Sequence, residues 1–417
     1  MTLQKRIRTG DQELVRQINL TIILNCFLEH SSISRARLTD MTSLNKATVS
    51  RLVDELIDRG LLQEVGLSMQ ELGRPSRMLE INPRAGYILS GEIGENQLSL
   101  ICTNFSHEII WHIQEPFDPT SSPETVLECL KDLIFRAIIE HPQEYDRLLG
   151  IALGITGLVD PADGMLVYEP TLNWRNIPVR EWLMTHFQVP IFVDNDANMA
   201  LLGEYYWGAA KHCTQVVYIS AGIGVGGAII MDGKLQRGYG GFAGEFGHMT
   251  VDPGGAMCDC GNRGCWATQA SVTSLYKHVF DGITEQPPTP FGELVREQPG
   301  QVNLDRVLQA ANVQDPLAGQ AFEKVGRALG TGIASLINAF SPELVVLGGE
   351  LSAAGEYLLG PIRDEIQHRS LSLGRREIQV ALAKHGKDAC LIGGIATVFQ
   401  SILAEPYSLE PLLRKEN

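Results

Sequence analysis

The stretch GHMTVDPGGAMCDCGNRGCWATQAS, residues 247–271, constrains this chain more than any other. It places His248, Cys258, Cys260 and Cys265 at the spacing H-x9-C-x-C-x4-C. Three cysteines cannot all pair with one another. Three thiolates and one imidazole form a closed set suited to tetrahedral zinc, and four protein ligands leave no open position for catalysis. Gly254, Gly255, Gly261 and Gly264 permit the tight turns such convergence needs. The alternative is three free thiols in a loop. If zinc fixes His248, it also fixes Glu245 three residues earlier, and the second ring nitrogen of His248 is left to face a ligand. The other cysteines, at positions 26, 102, 129, 213 and 390, are scattered among apolar neighbours and read as core thiols rather than disulfides.

A clamp of this kind needs a frame. With 417 residues, 44% hydrophobic and 20% charged, the chain is globular and long enough for two or three domains. Strands are expected at ILSGEI, LSLICT, LLGIALGIT, PIFVDN, QVVYISA, VGGAIIM and LVVLGG. Helices are expected at 123–140, 197–207, 316–340, 355–369 and 390–403. This alternation implies an α/β body. Asp232-Gly233 fits a hairpin turn, and TEQPPTPFG (284–292) reads as a loop. No apolar run approaches the ~20 residues of a membrane span. The basic start MTLQKRIRTGDQ is not followed by an apolar leader, so a cytoplasmic location without membrane contact is expected.

Charge is uneven. Residues 1–84 carry a net +2, and the remainder carries −17. An acidic body repels phosphate, so any contact with DNA must be confined to the head. There, apolar residues spaced three and four apart mark one helix through Leu14, Ile18 and Ile22. Ser34 can cap a second, and Asn45 a third running NKATVSRLVDELIDRG to a stop at Gly60. A short helix, a tight turn and a longer helix form the helix-turn-helix pattern. Asn45, Lys46, Thr48, Ser50 and Arg51 lie where a recognition helix meets base edges. Two strand-like segments, LLQEVG and RMLEINP, flank a wing whose Arg74 fits a minor groove. A protein-docking module with solvated charges is the alternative.

In the body, VDNDANMALLGE places Asn195 and Asp196 at a strand-to-helix junction, where open α/β sheets bind ligands. Asp196 can accept a proton from a sugar hydroxyl, or the pair can simply cap the helix. SAGIGVGGA can cradle a phosphate or form a close-packed hairpin.

Taken together, GITGLVD, VDNDAN, LLGE, GIGVGG, GEFGH, CDCGNRGC and VVLGGELS resemble, in order, the ROK family of sugar kinases and sugar-responsive repressors. The resemblance covers nearly the whole chain. The head, with NKATVSRLVDELIDRGLL and GRPS, resembles the winged helix of the repressor branch. It implies an N-terminal winged helix-turn-helix (1–83) followed by an α/β two-lobed, actin-like ATPase fold. One lobe would span 84–197 with a C-terminal helix at 388–405, the other 198–387 with the zinc loop. Asn195, Asp196, Glu245 and His248 match the family's sugar contacts, Gly157 lies in a loop approaching the sugar, and Asp196 matches the kinases' catalytic base. His248, Cys258, Cys260 and Cys265 match its zinc ligands.

Two departures qualify the match. Family kinases open their body with a D-x-G-G-T phosphate loop. Here the segment is GEIGENQLS, with Glu92 for the aspartate and Glu95-Asn96 for Gly-Thr. A carboxylate there repels triphosphate and fills the space an anion needs. The family also has Glu two residues after the last cysteine, where this chain has Ala267 in GCWATQ, a form that resembles xylose-repressor-like members. A lost charge-assisted hydrogen bond costs roughly 1.5–3 kcal/mol, so the sugar is either weakly held or of a different shape. The expectation is a DNA-binding regulator, a repressor of carbohydrate-use genes, xylose or xylo-oligosaccharide among the candidates. Asp196 would be a vestigial base without kinase activity. Its partners would be double-stranded operator DNA, a small sugar and a second copy, as a homodimer or a dimer of dimers. The alternative is an ATP-dependent sugar kinase with an appended DNA-binding head.

Overall fold

The computed structural model describes residues 12–68, 76–140, 147–285, 287–371 and 378–404. The chain opens with α1 (Gln12–Glu29), a short β1 (Ile33–Ser34), α2 (Arg35–Thr42) and α3 (Lys46–Asp58). Ser34 caps α2 by accepting from the Arg37 N–H at 3.2 Å, and Asn45 caps α3 by accepting from the Thr48 N–H at 2.8 Å. Ser43, in the left-handed region at φ 57°, turns the chain between them. Val49, Leu52, Val53 and Leu56 on α3 are buried against Leu38 of α2 and Leu20, Ile23 and Leu24 of α1. Strands β2 (Leu62–Ser68) and β3 (Ser76–Ile81) pair antiparallel beside β1. Arg74 falls between them, outside the described residues.

The body begins with a meander of β4 (Tyr87–Ile93), β5 (Gln97–Asn104) and β6 (Ile109–Pro116), then α4 (Pro123–Glu140) and β7 (Leu148–Ile155). A small sheet of β8 (Leu158–Asp160), β9 (Met165–Glu169) and β10 (Trp174–Ile177), with α5 (Val179–Met184), leads to β11 (Ile191–Asn195). Strands β7 and β11 join in parallel, giving the order β11-β7-β4-β5-β6. Helix α6 (Asp196–Trp207) then leads to a second meander, β12 (Val216–Ala221), β13 (Val225–Met231) and β14 (Lys234–Leu235). After the cysteine loop come α7 (Val272–Glu285), α8 (Pro290–Glu297), α9 (Leu304–Asn312) and α10 (Pro316–Phe340). They are followed by β15 (Leu344–Gly348), α11 (Glu356–Arg369), β16 (Gln379–Leu382) and α12 (Ala389–Ala404). The second sheet is ordered β14-β13-β12-β15-β16, with β15 and β16 parallel to β12. Both large sheets thus share one topology, three antiparallel strands extended by two parallel ones.

Local chemistry accounts for these elements. The central strands are buried over most of their length, which is why they read as nearly continuous apolar runs. The residues Asp232 (φ 51°) and Gly233 (φ 70°) form the β13–β14 turn. The Pro-rich stretch expected to be a loop through residue 292 instead starts α8 at Pro290. The Thr289 hydroxyl accepts from the Gly292 N–H at 2.9 Å, and proline is at home in a first helical turn.

Helix α12 is apolar on nearly all sides. The span Gly386–Ala404 is long and apolar enough to cross a membrane by length and composition alone, but 61% of it is buried within the protein. It lies on β4 and β7, crosses α6 and meets α1, where the Thr21 hydroxyl donates to the Leu403 carbonyl at 2.5 Å. The head core and α12 form one continuous apolar cluster. Phe399 is fully buried there, with ring centroids 5.0 Å from Phe105 and 4.3 Å from His107. Phe399→Ala is expected to cost about 3–5 kcal/mol. Denaturant unfolding would read this as a lowered midpoint, and a head signal such as α1 helicity should fall with it.

Candidate ligand cleft and metal cluster

The two sheets meet at the start of α6, where Arg237 beyond β14 pairs with Asp194 of β11, and the candidate cleft lies beside this contact. Asn195 closes β11 and caps α6: its Oδ1 accepts from the Ala197 and Asn198 N–H groups at 2.9 and 3.2 Å. Its Nδ2 donates to the Gly157 carbonyl at 3.0 Å. Gly157 has φ 100°, and a Cβ there would stand 2.6 Å from the Tyr168 carbonyl, so only glycine fits. Asn195 therefore acts as a cap and a tether for the Gly157 loop, and its side chain also hydrogen-bonds the Asp196 carboxyl. Asp196, next in the chain, presents its carboxyl to the cleft. From the second sheet, the segment after β14 brings Glu245 and His248, held by Phe246, which packs on Gly227 of β13. Gly157, Asn195, Asp196, Glu245 and His248 thus converge from three chain segments.

The cleft is acidic. Burial raises the Asp196 carboxyl to about 6, with help from the nearby Glu169 charge. Burial and the Asp196 charge raise Glu245 to about 7. Glu95 sits in the β4–β5 turn and also turns inward. Burial raises it to about 7, and Glu169, Asp196, Glu350 and Asp259 add to the shift. Glu92, on β4, reaches about 8 through burial and then the charges of Asp196 and Asp388. Sequence reasoning missed Glu169, Glu350 and Asp388 in this group. Glu169 is only 3% exposed and accepts from the Leu172 N–H across a hairpin that no apolar periodicity announced. It also missed Asp194 and Arg237, an ion pair between a buried carboxylate and a half-exposed guanidinium.

The His248, Cys258, Cys260 and Cys265 ligand atoms all lie within 4.8 Å of one another. Cys260 Sγ is 3.6 Å from Cys265 Sγ, and Cys258 Sγ is 3.7 Å from His248 Nδ1. Thiolates bound at about 2.3 Å to a tetrahedral ion stand roughly 3.8 Å apart, so the set could hold a metal ion. His248 offers Nδ1 to the cluster, and its Nε2 lies 4.0 Å from Glu245 Oε2. Gly261 (φ 89°) and Gly264 (φ 66°) make the turns, and a Cβ on Gly264 would collide with the Asp252 carbonyl. Trp266, fully buried, donates from Nε1 to the Ala328 carbonyl at 2.7 Å and pins the loop to α10. Ala267 follows, in a turn packed on Phe246–His248.

In the head, Asn45, Lys46 and Arg51 are exposed at the start of α3, while Thr48 and Ser50 are half-buried. The oxygen of Asn45 is occupied as a cap, and the Ser50 hydroxyl accepts from Arg35 at 3.1 Å. An open groove of about 710 Å³ between α1 and α3 is lined by Arg16, Ala47, Ser50, Arg51 and Arg59, with the acidic Asp54, Glu55 and Asp58 among them.

An ordinary glutamate ionises near 4.5, whereas folded Glu92 keeps its proton to about 8. The unfolded chain releases this proton first, so stability is lost as pH rises through that window. Glu92→Gln should melt at the wild-type temperature near pH 4.5 and above it at pH 8. Scanning calorimetry across this range checks the sign, and equal melting at pH 8 would count against it.

The description "ROK family" fits residues 89–401. The chain is 33% identical to the xylose repressor of Caldicellulosiruptor bescii over 401 residues, which is 95% of this chain and 99% of that one. It superposes with a TM-score of 0.80 and 28% identity on a ROK family transcriptional regulator described as a homologue of the Escherichia coli Mlc protein. That match covers 94% of this chain and 97% of the regulator. A ROK family glucokinase from Streptomyces griseus, solved with glucose and AMPPNP, matches at TM-score 0.67 and 29% identity, covering 75% of this chain and 99% of the kinase. The share of this chain left over against the kinase is about the size of the head. The chain belongs to the ROK family.

Proposed function

We propose that this protein is a sugar-responsive, DNA-binding transcriptional repressor of carbohydrate-use genes. The observation that carries the proposal is one unbroken path of packing. A helix-turn-helix with a β2–β3 wing sits on α1, α1 sits on α12, α12 crosses α6, and α6 starts at Asp196 in the cleft. Residues 1–83 would be the DNA-binding unit. Residues 84–197 with the C-terminal helix, and 198–387, would be the two lobes that close on the sugar. Exposed Lys46 and Arg51 would meet phosphate or guanine, with Thr48 and Ser50 beside them and Arg74 at the wing. A homodimer would match a two-fold operator in the cytoplasm.

Asp196, Glu245 and His248 would hold sugar hydroxyls, with the Gly157 loop and Asn195 beneath. The namesake sugar of the Caldicellulosiruptor bescii relative makes D-xylose or a short xylo-oligosaccharide the first candidate. Ala267 supports it: with no carboxylate at that position, the wall next to His248 suits a sugar with fewer hydroxyls or a longer one. Kinase activity is not expected. Glu92 and Glu95 stand where family kinases place the phosphate loop, and phosphoryl transfer depends on positioning and neutralising phosphate charge. The cluster of His248, Cys258, Cys260 and Cys265 would hold one structural zinc ion that stiffens the cleft wall.

Two measurements test this. In the first, purified protein should bind DNA upstream of its own gene with steep salt dependence. D-xylose or xylobiose should change that affinity by about 5- to 100-fold, the usual range for coupled sites. Lys46→Ala and Arg51→Ala should weaken binding. Turnover of ATP with an aldose, or no DNA binding with or without sugar, would overturn the proposal. In the second, elemental analysis should find one zinc per chain. Cys260→Ser should lose it and lower the melting temperature of the body, and a metal-free native protein would refute the assignment.

A further inference from the structure

One loop of the second sheet touches the first sheet at one point and the small β8–β10 sheet at another. It runs from Gln236 to Gly244 and is closed on itself by the Ala243 N–H, which donates to the Arg237 carbonyl at 3.0 Å. At the first point, Arg237 Nε and Nη2 both donate to Asp194 Oδ2, at 3.0 and 2.6 Å. Asp194 belongs to β11, is 4% exposed, and accepts on its other oxygen from the Asn195 N–H at 2.8 Å and from Asn198 Nδ2 at 2.9 Å. At the second, the backbone of Gly241 (φ 94°) lies on the chain just after Gly157. A Cβ there would stand 2.6 Å from Pro161 Cδ and 2.8 Å from the Val159 carbonyl. The same loop runs on into Glu245 and His248. It therefore meets β11 on one side and the β8 end of the small sheet on the other while carrying Glu245 and His248.

We propose that Arg237 is a positioning residue, a latch that ties the metal-loop wall of the cleft to the first turn of α6. With four donors on its carboxylate, Asp194 has little left to offer a sugar, so its part is mechanical. Through Asn195 and Asn198 it holds the start of α6, and α6 carries α12 and the head. Movement of the wall holding Glu245 and His248 reaches α6 through this pair. The inference rests on the cleft-to-head coupling proposed above and names the residue that transmits it. Lysine in place of Arg237 would lack the two-nitrogen fork that grips one oxygen.

The test uses full-length protein and three variants. Arg237→Gln leaves Asp194 buried with half its donors. Arg237→Gln combined with Asp194→Asn removes the charge pair without leaving a lone buried charge. Arg237→Lys keeps the charge without the fork. In amide hydrogen exchange, the double variant should exchange faster by about 5- to 100-fold. The increase should appear in residues 236–246, in the first turn of α6 and along α12 and α1, while α10 and α11 stay unchanged. No increase, or one confined to residues 236–246, overturns the latch. In operator binding, the double variant should lose the difference that D-xylose or xylobiose makes in the wild type, with sugar affinity by calorimetry unchanged. Retention of the wild-type difference also overturns it. If the wild type itself shows no DNA binding or no sugar effect, the repressor proposal fails, and the exchange pattern still decides the latch.

Discussion

Helices α6 and α12 cross with their backbones in contact, and the cleft, the first sheet and the head all depend on that crossing. A Cβ at Gly203 of α6 would stand 2.7 Å from the Ala389 carbonyl and 2.8 Å from the Gly393 nitrogen, and one at Gly393 would collide with the Met199 carbonyl. The same helix rides on the first sheet through further close approaches. Gly154 of β7 admits Cys390, Gly150 admits Val398, and Gly394 of α12 admits Ser90 of β4. Gly203 and Gly393 leave no room for a side chain between α6 and α12, and the side chains of Cys390, Val398 and Ser90 seat directly on backbone where α12 meets the first sheet. Glu204 reinforces the joint. Its buried carboxylate accepts from the Lys384 and His385 N–H groups at 3.0 and 2.8 Å and from Ala209 N–H at 2.7 Å, tying the end of α6 to the segment that leads into α12.

Legibility in the sequence followed the kind of force involved. Elements set by local chemistry could be read directly: the Ser34 and Asn45 caps, the Asp232-Gly233 turn, and helices 123–140 and 316–340, whose observed limits are Pro123–Glu140 and Pro316–Phe340. Strands β6 and β16, near or at the sheet edges, and the small β8–β10 sheet carried no clear alternation and were not foreseen. Short helices α8 and α9 hid behind proline-rich and polar stretches. The shared topology of the two large sheets was also silent, because hydrogen-bond order leaves no trace in residue identity when the two halves bury different side chains.

The site divides in the same way. Ligand chemistry with fixed spacing was legible, and the four metal-type ligands do come together. Asp194, Arg237 and Glu204 were not, since each acts through a partner distant in sequence: 43 residues separate Arg237 from Asp194, and 180 separate Lys384 from Glu204. LLGE was visible as a family-like string without a role. In the structure its glycine supplies the helix crossing and its glutamate the joint.

The electrostatics of the cleft bear on why such a frame would serve as a sensor. Glu92, Glu95, Glu169, Asp196 and Glu245 crowd a space that water reaches only in part, and Arg237, in the segment that leads to Glu245, is committed to Asp194. Carboxyls in that setting hold protons well above their usual range, which is a cost to the folded state at neutral pH. A neutral, hydroxyl-rich ligand relieves that cost by donating hydrogen bonds to the oxygens, whereas a phosphate adds to it. The same residues that disfavour a nucleotide therefore favour a sugar. Because Glu92 lies on the first sheet and Glu245 follows the last strand of the second, a ligand that bridged them would draw its relief from both sides at once.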